Sequence, residues 1–343
     1  MASSETGARK KLKIFWADFP FPDLQWERKK LEESSLQVEL EEEWCETAKE
    51  VIAGASGADA LLVHHAPVTA AVIEELDQLK VIGRYGAGYD MVDVEAATAA
   101  GIPVINDPGY CVEELTTHVL ALMLTLNRKI LPLNDLVQGG GWQSDEDFRS
   151  AGEIHRLAGQ KLGVVGLGRT GMRLAEKAEA LGLELLVWDR RAEEKIGSRS
   201  ELKNLKAAEL RELLEKADII SLHLPLTAET EGIIGREEFE LMKEDAMLIN
   251  TARGGLLQEK ALERALTEGE IAAAGLDVFQ KEPLPADHPL LRLAEERDNL
   301  ILTPHAAFYS EEAEAELRES ILEQVIAALQ GEKPDHIIND EVW

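Results

Sequence analysis

Three side chains able to couple proton movement to redox chemistry follow apolar runs late in this chain: Arg253, Glu282 and His305. Arg253 lies in Asn250-Thr-Ala-Arg-Gly-Gly255, directly after the strand-like run Met247–Asn250. An arginine on a glycine-loosened turn can present its planar fork to a carboxylate; the plain alternative is a surface arginine in a turn. Asp277 and Glu282 belong to Leu276-Asp-Val-Phe-Gln-Lys-Glu-Pro283, where Asp277 ends a strand and Glu282 sits in the loop beyond. In so acidic a chain a single glutamate is ordinarily solvated surface. His305 follows Pro304 in Leu302-Thr-Pro-His-Ala-Ala307, and a lone histidine is more often structural than catalytic. As a set, a guanidinium, a carboxylate and an imidazole converge on the strand ends where open α/β sheets bind ligands. Alcohol oxidation needs a base for the hydroxyl proton while a hydride departs. Histidine titrates near neutral pH, an adjacent carboxylate favours its charged form, and arginine polarises the carbonyl in the reverse direction.

The hydride acceptor is suggested by Lys161-Leu-Gly-Val-Val-Gly166-Leu-Gly168-Arg169-Thr170-Gly171, a G-x-G-x-x-G between a buried-strand run, Leu162–Val165, and a helical pattern, Met172–Leu181. Gly166 permits the tight turn, Gly168 lets the backbone approach a pyrophosphate, and Gly171 lets helix and strand pack closely. The helix N-terminus offers N–H groups and partial positive charge to the phosphates. Asp189 closes the next strand, Glu184–Trp188, where a carboxylate can accept both ribose hydroxyls and repel the extra phosphate of NADP. NAD is therefore favoured over NADP, with Arg190 and Arg191 working the other way.

These residues need a frame of alternating strands and helices, which indicates α/β architecture with parallel sheets. The first series of strands is Lys13–Ala17, Gln37–Leu40, Ala60–His64, Val81–Tyr85 and Val104–Asn106. Helices fall near Asp23–Glu33, Glu46–Ala53, Thr69–Leu76 and Val92–Ala100. The second series is Leu162–Val165, Glu184–Trp188, Ile219–Leu222, Met247–Asn250, Ala273–Asp277 and Leu300–Leu302. Two doubly wound domains follow: a flavodoxin-like substrate domain from residues 1–106 and 309–343, and a Rossmann dinucleotide-binding domain from residues 107–308. The turn-rich stretch Asn106-Asp-Pro-Gly109 marks the junction. Val112–Asn127, apolar on most sides, suits a helix wedged between domains. Gly139–Asp147 reads as a flexible loop, and Glu311–Gln330 as a last helix returning to the first domain.

The 343 residues carry 45% hydrophobic content and a formal charge of −29, a soluble profile that opposes nucleic-acid and anionic-membrane partners. No apolar run approaches the roughly 20 residues of a membrane span. The leader Met1–Lys11 lacks a signal-peptide core and reads as disordered, and the tail after Gln330 is short for a further domain. Cys45 and Cys111 lack a ligand-like or redox spacing, which points to a reduced cytoplasmic setting. His64 and His65, as strand neighbours, should point to opposite faces and form no metal pair. No Cys/His/Asp cluster has metal-ligand spacing and no G-x-S-x-G elbow occurs.

The chain resembles the D-isomer-specific 2-hydroxyacid dehydrogenase family from about Lys13 to Ile338. The resemblance is carried in order by Arg84-Tyr-Gly-Ala-Gly-Tyr-Asp90, Arg156–Gly171, Ile249–Gly255, Leu276–Pro283 and Thr303–Ala307. Phe308-Tyr-Ser310 and Pro108–Glu114 look most like the bacterial C-terminal-binding-protein-like branch. The resemblance implies a catalytic set of Arg253 on the substrate carboxylate and keto oxygen, His305 as acid/base and Glu282 as its partner. It implies that Asp277 holds the nicotinamide carboxamide, and that backbone N–H groups of Tyr85, Gly86, Ala87 and Gly88 cradle the substrate carboxylate. Thr251, Ala252 and the segment Leu222–Pro225, with His223 and Pro225, would line the cofactor; Phe308 would border the substrate. It further implies completion of the first sheet's domain by the C-terminal helix, and homodimers formed through the cofactor domain. Met91 stands where many relatives carry Asn, and Phe308 where the eukaryotic corepressor relatives carry Trp. The resulting expectation is an NAD-dependent 2-ketoacid reductase; an NAD(H)-sensing interaction protein and a 3-phosphoglycerate dehydrogenase are the alternatives.

Overall fold

The computed structural model describes residues 11–19, 21–144, 146–197 and 204–343; residues 1–10 of the expected leader lie outside the described residues. The chain divides into one unit of Met1–Tyr110 with Ser310–Trp343, and another of Cys111–Tyr309.

In the first unit the described strands are β1 (Leu12–Trp16), β2 (Val38–Glu42), β3 (Ala60–Val63), β4 (Val81–Arg84) and β5 (Val104–Ile105). They form a parallel sheet in the order β2-β1-β3-β4-β5, the flavodoxin-like winding. β3 and β4 are buried throughout, as expected of central parallel strands covered on both faces. Glu311–Gln330 packs on β4, where Gly83 makes room: a Cβ there would lie 2.7 Å from Val325 Cγ2. The Arg318 guanidinium on this helix donates from Nε and Nη2 to the fully buried Glu27 carboxylate, at 2.6 and 2.8 Å. Asn339 then pins the tail by accepting from Val104 N and donating to Ile102 O.

The second unit holds β6 (Lys161–Val165), β7 (Glu184–Trp188), β8 (Leu205–Ala207), β9 (Ile219–Leu222), β10 (Met247–Asn250), β11 (Ala273–Leu276) and β12 (Leu300–Leu302). Their order is β12-β11-β10-β9-β6-β7-β8, all parallel, with the winding reversing between β6 and β9. That reversal is the crevice in which doubly wound sheets bind ligands. The helix Val112–Asn127 places Val119, Leu122, Met123 and Leu126 in the core beneath β6, β7, β10 and β11. Its buried apolar side is thus accounted for within the second unit.

Two elements depart from the sequence reading. β8 is three residues at the sheet edge, interrupted by exposed Lys206, and too short to show a period. The helix Ile130–Gln138 has no buried residue, so no core-facing stripe announced it. A third correction concerns His64 and His65. β3 stops at Val63, so strand alternation does not apply beyond it, and the two rings meet at 4.0 Å between centroids. Asp18 turns the chain there by accepting from the His64, His65 and Ala66 amides.

Candidate active site

The carboxyl ends of β10, β11 and β12 carry Arg253, Asp277, Glu282 and His305 within the second unit. His305 Nδ1 lies 2.6 Å from Glu282 Oε2. An ionised carboxylate only accepts, so Nδ1 carries the proton of this contact. Glu282 is itself oriented, since its Oε1 accepts from Phe279 N at 2.8 Å. The imidazole and carboxylate side chains are 35% and 32% exposed, which keeps the pair open to a small molecule. The Phe308 ring stands edge-on to His305, with 6.3 Å between centroids.

Arg253 is set by Asn250, the fully buried last residue of β10. Asn250 Oδ1 accepts from Ala252 N and its Nδ2 donates to Arg253 O, so one amide closes the turn from both sides. Thr251 is buried in that turn and Ala252 partly so. The turn lies flush on the loop after β11: a Cβ on Gly254 would fall 1.9 Å from Phe279 C and 2.5 Å from Gln280 N. Gln280 Nε2 also donates to Leu257 O at 2.8 Å. Glycine at 254 is what brings the arginine turn against the loop that carries Glu282.

Asp277 is 1% exposed and holds the histidine turn. Its Oδ1 accepts from the Thr303 hydroxyl at 2.6 Å and from Ala306 N at 3.0 Å; its Oδ2 accepts from Ala307 N at 2.9 Å. Its backbone oxygen accepts from His305 N at 2.8 Å. His305 has a φ of 52°, a left-handed conformation that costs a β-substituted residue about 1 kcal/mol or more and persists only when neighbours over-determine it.

At the glycine loop, Gly166 has a φ of 102°, and a Cβ there would lie 2.6 Å from His223 O. A Cβ on Gly171 would lie 2.0 Å from Gly166 O, whereas one on Gly168 meets nothing within 4 Å. Gly166 and Gly171 serve packing; Gly168 faces open space at the start of the helix Arg169–Ala180, whose N-cap lacks a side-chain partner. Arg169 is exposed and Thr170 partly exposed in its first turn. Asp189 accepts from Leu167 N, Arg191 N and Lys195 Nζ at 2.9, 2.8 and 2.7 Å. Burial pushes its carboxyl up, but Lys195 and the two amides outweigh that and hold it below the usual carboxylate range. His223 Nε2 is 2.9 Å from Ser221 Oγ, and burial pushes its imidazole down to about 4, so it is neutral at physiological pH. Pro225 is exposed beyond it.

In the first unit, Tyr85–Gly88 follows β4. Tyr85 is fully buried, stacked on Trp16 at 4.4 Å, and its N–H donates to Val63 O. It therefore cannot donate to a substrate, which narrows the expected cradle to Gly86, Ala87 and Gly88. Asn106 Nδ2 holds that loop through Ala87 O at 2.6 Å.

Comparison with known proteins decides the family. Residues 120–307 match the NAD binding domain of the D-isomer specific 2-hydroxyacid dehydrogenases. A glyoxylate reductase of Korarchaeum cryptofilum is 39% identical over 80% of this chain and 81% of its own. The chain belongs to the D-isomer specific 2-hydroxyacid dehydrogenase family. A D-3-phosphoglycerate dehydrogenase of Methanocaldococcus jannaschii is 40% identical over 85% of this chain, which spans 54% of that protein. The D-lactate dehydrogenase of Aquifex aeolicus, solved with NAD and lactic acid, superposes with a TM-score of 0.83 at 28% identity, covering 95% of this chain and 99% of that one.

The dehydrogenase is thus an NAD-dependent oxidoreductase of 2-hydroxy acids. Its residues fit the cofactor: Gly168 leaves space where a pyrophosphate backbone must pass, and Asp189 Oδ1, with one amide on it, retains acceptor capacity for a ribose diol. Sequence spacing did not single out two members of the site. His118 Nε2 lies 3.0 Å from the Thr303 hydroxyl, and Lys195 pairs with Asp189. The partner of His118 is 185 residues away in sequence, so no local pattern could announce it. Among the described residues, no group of three or more His, Cys, Asp or Glu is arranged to hold a metal, and no helix is long and apolar enough to cross a membrane.

Proposed function

We propose that this dehydrogenase acts chiefly as a reductase of small 2-keto acids, with His305 as the general acid. The observation that carries the reading is the 2.6 Å contact between His305 Nδ1 and Glu282, which fixes the ring through one nitrogen and assigns proton delivery to the other, Nε2. When bound, NADH supplies the hydride to the keto carbon. His305 Nε2 gives its proton to the keto oxygen as charge develops there, and Glu282 stabilises the imidazolium beforehand. Arg253 pairs with the substrate carboxylate and polarises the keto group. Backbone N–H groups of Gly86, Ala87 and Gly88 are proposed to meet the same carboxylate, and Phe308 to limit the substrate's size. Gly166, Gly168, Arg169, Thr170 and Gly171 are proposed to take the pyrophosphate and Asp189 the adenosine ribose. Asp277, His223, Pro225, Thr251 and Ala252 are proposed to border the nicotinamide half.

A homodimer is supported by the segment after Asn127, where Ile130, Val137, Trp142 and Phe148 are between 47% and 61% exposed, more apolar surface than a free chain usually shows water. A reducing cytoplasm is supported by Cys45 and Cys111, buried side chains that form no disulfide among the described residues. The corepressor-like branch is supported only by Pro108–Glu114 and Phe308–Ser310, and the dehydrogenase reading takes precedence because the dyad is intact. The test is NADH and NADPH consumption with glyoxylate, pyruvate, hydroxypyruvate and phosphohydroxypyruvate. Turnover of an unphosphorylated acid with NADH supports the proposal. Tight NADH binding without any turnover contradicts it in favour of a sensor, and turnover confined to the phosphorylated acid favours the phosphoglycerate activity.

A further inference from the structure

The helix Val112–Asn127 brings His118 to the turn that carries His305, through Thr303 and Asp277. His118 Nε2 is 3.0 Å from Thr303 Oγ1, and Thr303 Oγ1 is 2.6 Å from Asp277 Oδ1. The Thr303 hydroxyl has one proton. Asp277, as a carboxylate, can only accept, so that proton goes to Oδ1 and the hydroxyl oxygen must accept from His118 Nε2–H. The direction of the chain is thereby fixed: imidazole to hydroxyl to carboxylate, and the carboxylate in turn holds the amides of Ala306 and Ala307 at 3.0 and 2.9 Å. A competing acceptor is present, since the Leu276 carbonyl lies 3.4 Å from Thr303 Oγ1. The shorter, charge-assisted contact wins the proton for Asp277, and the His118 N–H completes the other side of the hydroxyl and polarises that bond. The carboxylate needs that donor because it maintains a left-handed residue, His305, against its own backbone preference.

We propose that His118 is a positioning residue for His305, acting through Thr303 and Asp277 to hold the turn at which the proton is transferred. The inference rests on the acid/base reading of His305, so its test carries a separate control for that reading. Without His118 the Thr303 hydroxyl loses the donor that fixes and polarises it, its bond to Asp277 is less rigidly held, and the imidazole of His305 drifts from its transfer geometry. Glutamine at 118 can place an N–H where the imidazole Nε2–H was; phenylalanine cannot.

The experiment compares wild type, His118→Phe, His118→Gln, Thr303→Val, the His118→Phe/Thr303→Val double variant and His305→Gln. It measures kcat and KM with whichever 2-keto acid turns over best, together with NADH affinity by fluorescence quenching. His118→Phe should lower kcat about 10- to 100-fold, the scale of a small misplacement of a reacting group, with NADH affinity within a few-fold of wild type. His118→Gln should recover most of the loss. Thr303→Val should be equally slow, and the double variant no slower than either single one, because both break one chain. If His118→Phe fails to fold, Thr303→Val and His118→Gln decide the question in its place. Wild-type kcat in His118→Phe or Thr303→Val overturns the inference, as does NADH affinity falling in step with kcat, absence of rescue by Gln, or additive losses. In any of those cases a dead His305→Gln leaves the acid/base reading standing. An active His305→Gln removes both.

Discussion

His305 combines a left-handed backbone with a ring fixed by Glu282, and each feature predicts a different loss. Glu282→Gln keeps the shape but removes the carboxylate that accepts from His305 Nδ1, so reductase kcat should fall with NADH affinity unchanged. A wild-type kcat would contradict the role given to Glu282. Arg253→Ala should raise KM for the keto acid and lower kcat together, since its guanidinium serves both bound substrate and transition state. A KM effect alone would reduce it to a binding group. His223 tests the electrostatics independently of activity. Its pKa is depressed from 6.5 to about 4, so the unfolded chain takes up a proton that the folded one refuses. The sign follows: as pH falls from about 6.5 toward 4, this residue progressively lowers stability, and above that window it contributes no pH dependence. An NMR titration should show the His223 ring neutral down to at least pH 5, and a midpoint above 6 would refute the burial argument.

Among the elements, the strand–turn–helix at Lys161–Ala180 separates packing from ligand contact glycine by glycine. Gly171→Ala places a methyl 2.0 Å from Gly166 O and should destabilise the unit by several degrees in Tm. Gly168→Ala meets nothing within 4 Å, so its Tm should match wild type while NADH affinity falls at least about 10-fold from crowding the phosphate path. If both variants lost only stability, the loop would be a structural turn and no more. This motif was legible because its requirements are local: period, glycine offsets and a terminal acid lie within one βαβ stretch. The long apolar strands were legible for the same reason: β9, β10 and β12 have the bounds read from sequence, and β11 ends one residue earlier, at Leu276. What escaped depended on distant partners or on missing patterns. β8 is three residues with Lys206 exposed, Ile130–Gln138 buries none of its side chains, and His64 and His65 lie past the end of β3, where alternation has no meaning. Tyr85 illustrates the limit within the site: the family resemblance placed its amide in a substrate cradle, but pairing with Val63 had already engaged it. The clustering of Arg253 with the Glu282 loop turned on Gly254, whose contact with Phe279 cannot be read from spacing.

For the whole molecule, a formal charge of −29 repels anionic substrates at long range, so the local cations must capture them. Raising the ionic strength should therefore lower KM for a keto acid while screening remains incomplete; a KM that only rises with salt would show that local attraction dominates. The apolar residues Ile130, Val137 and Trp142 predict a dimer in solution, and Val137→Asp with Trp142→Arg should yield monomers by light scattering. A wild type that remains monomeric at high concentration would leave that exposed segment unexplained. The catalytic expectations depend on one proton donor. The direct test is single-turnover NADH oxidation by His305→Gln beside wild type, at saturating glyoxylate and with NADH binding checked for both. The account predicts that the variant binds NADH normally but oxidises it about 100- to 10,000-fold more slowly, the usual contribution of a general acid. Turnover within a few-fold of wild type would contradict it.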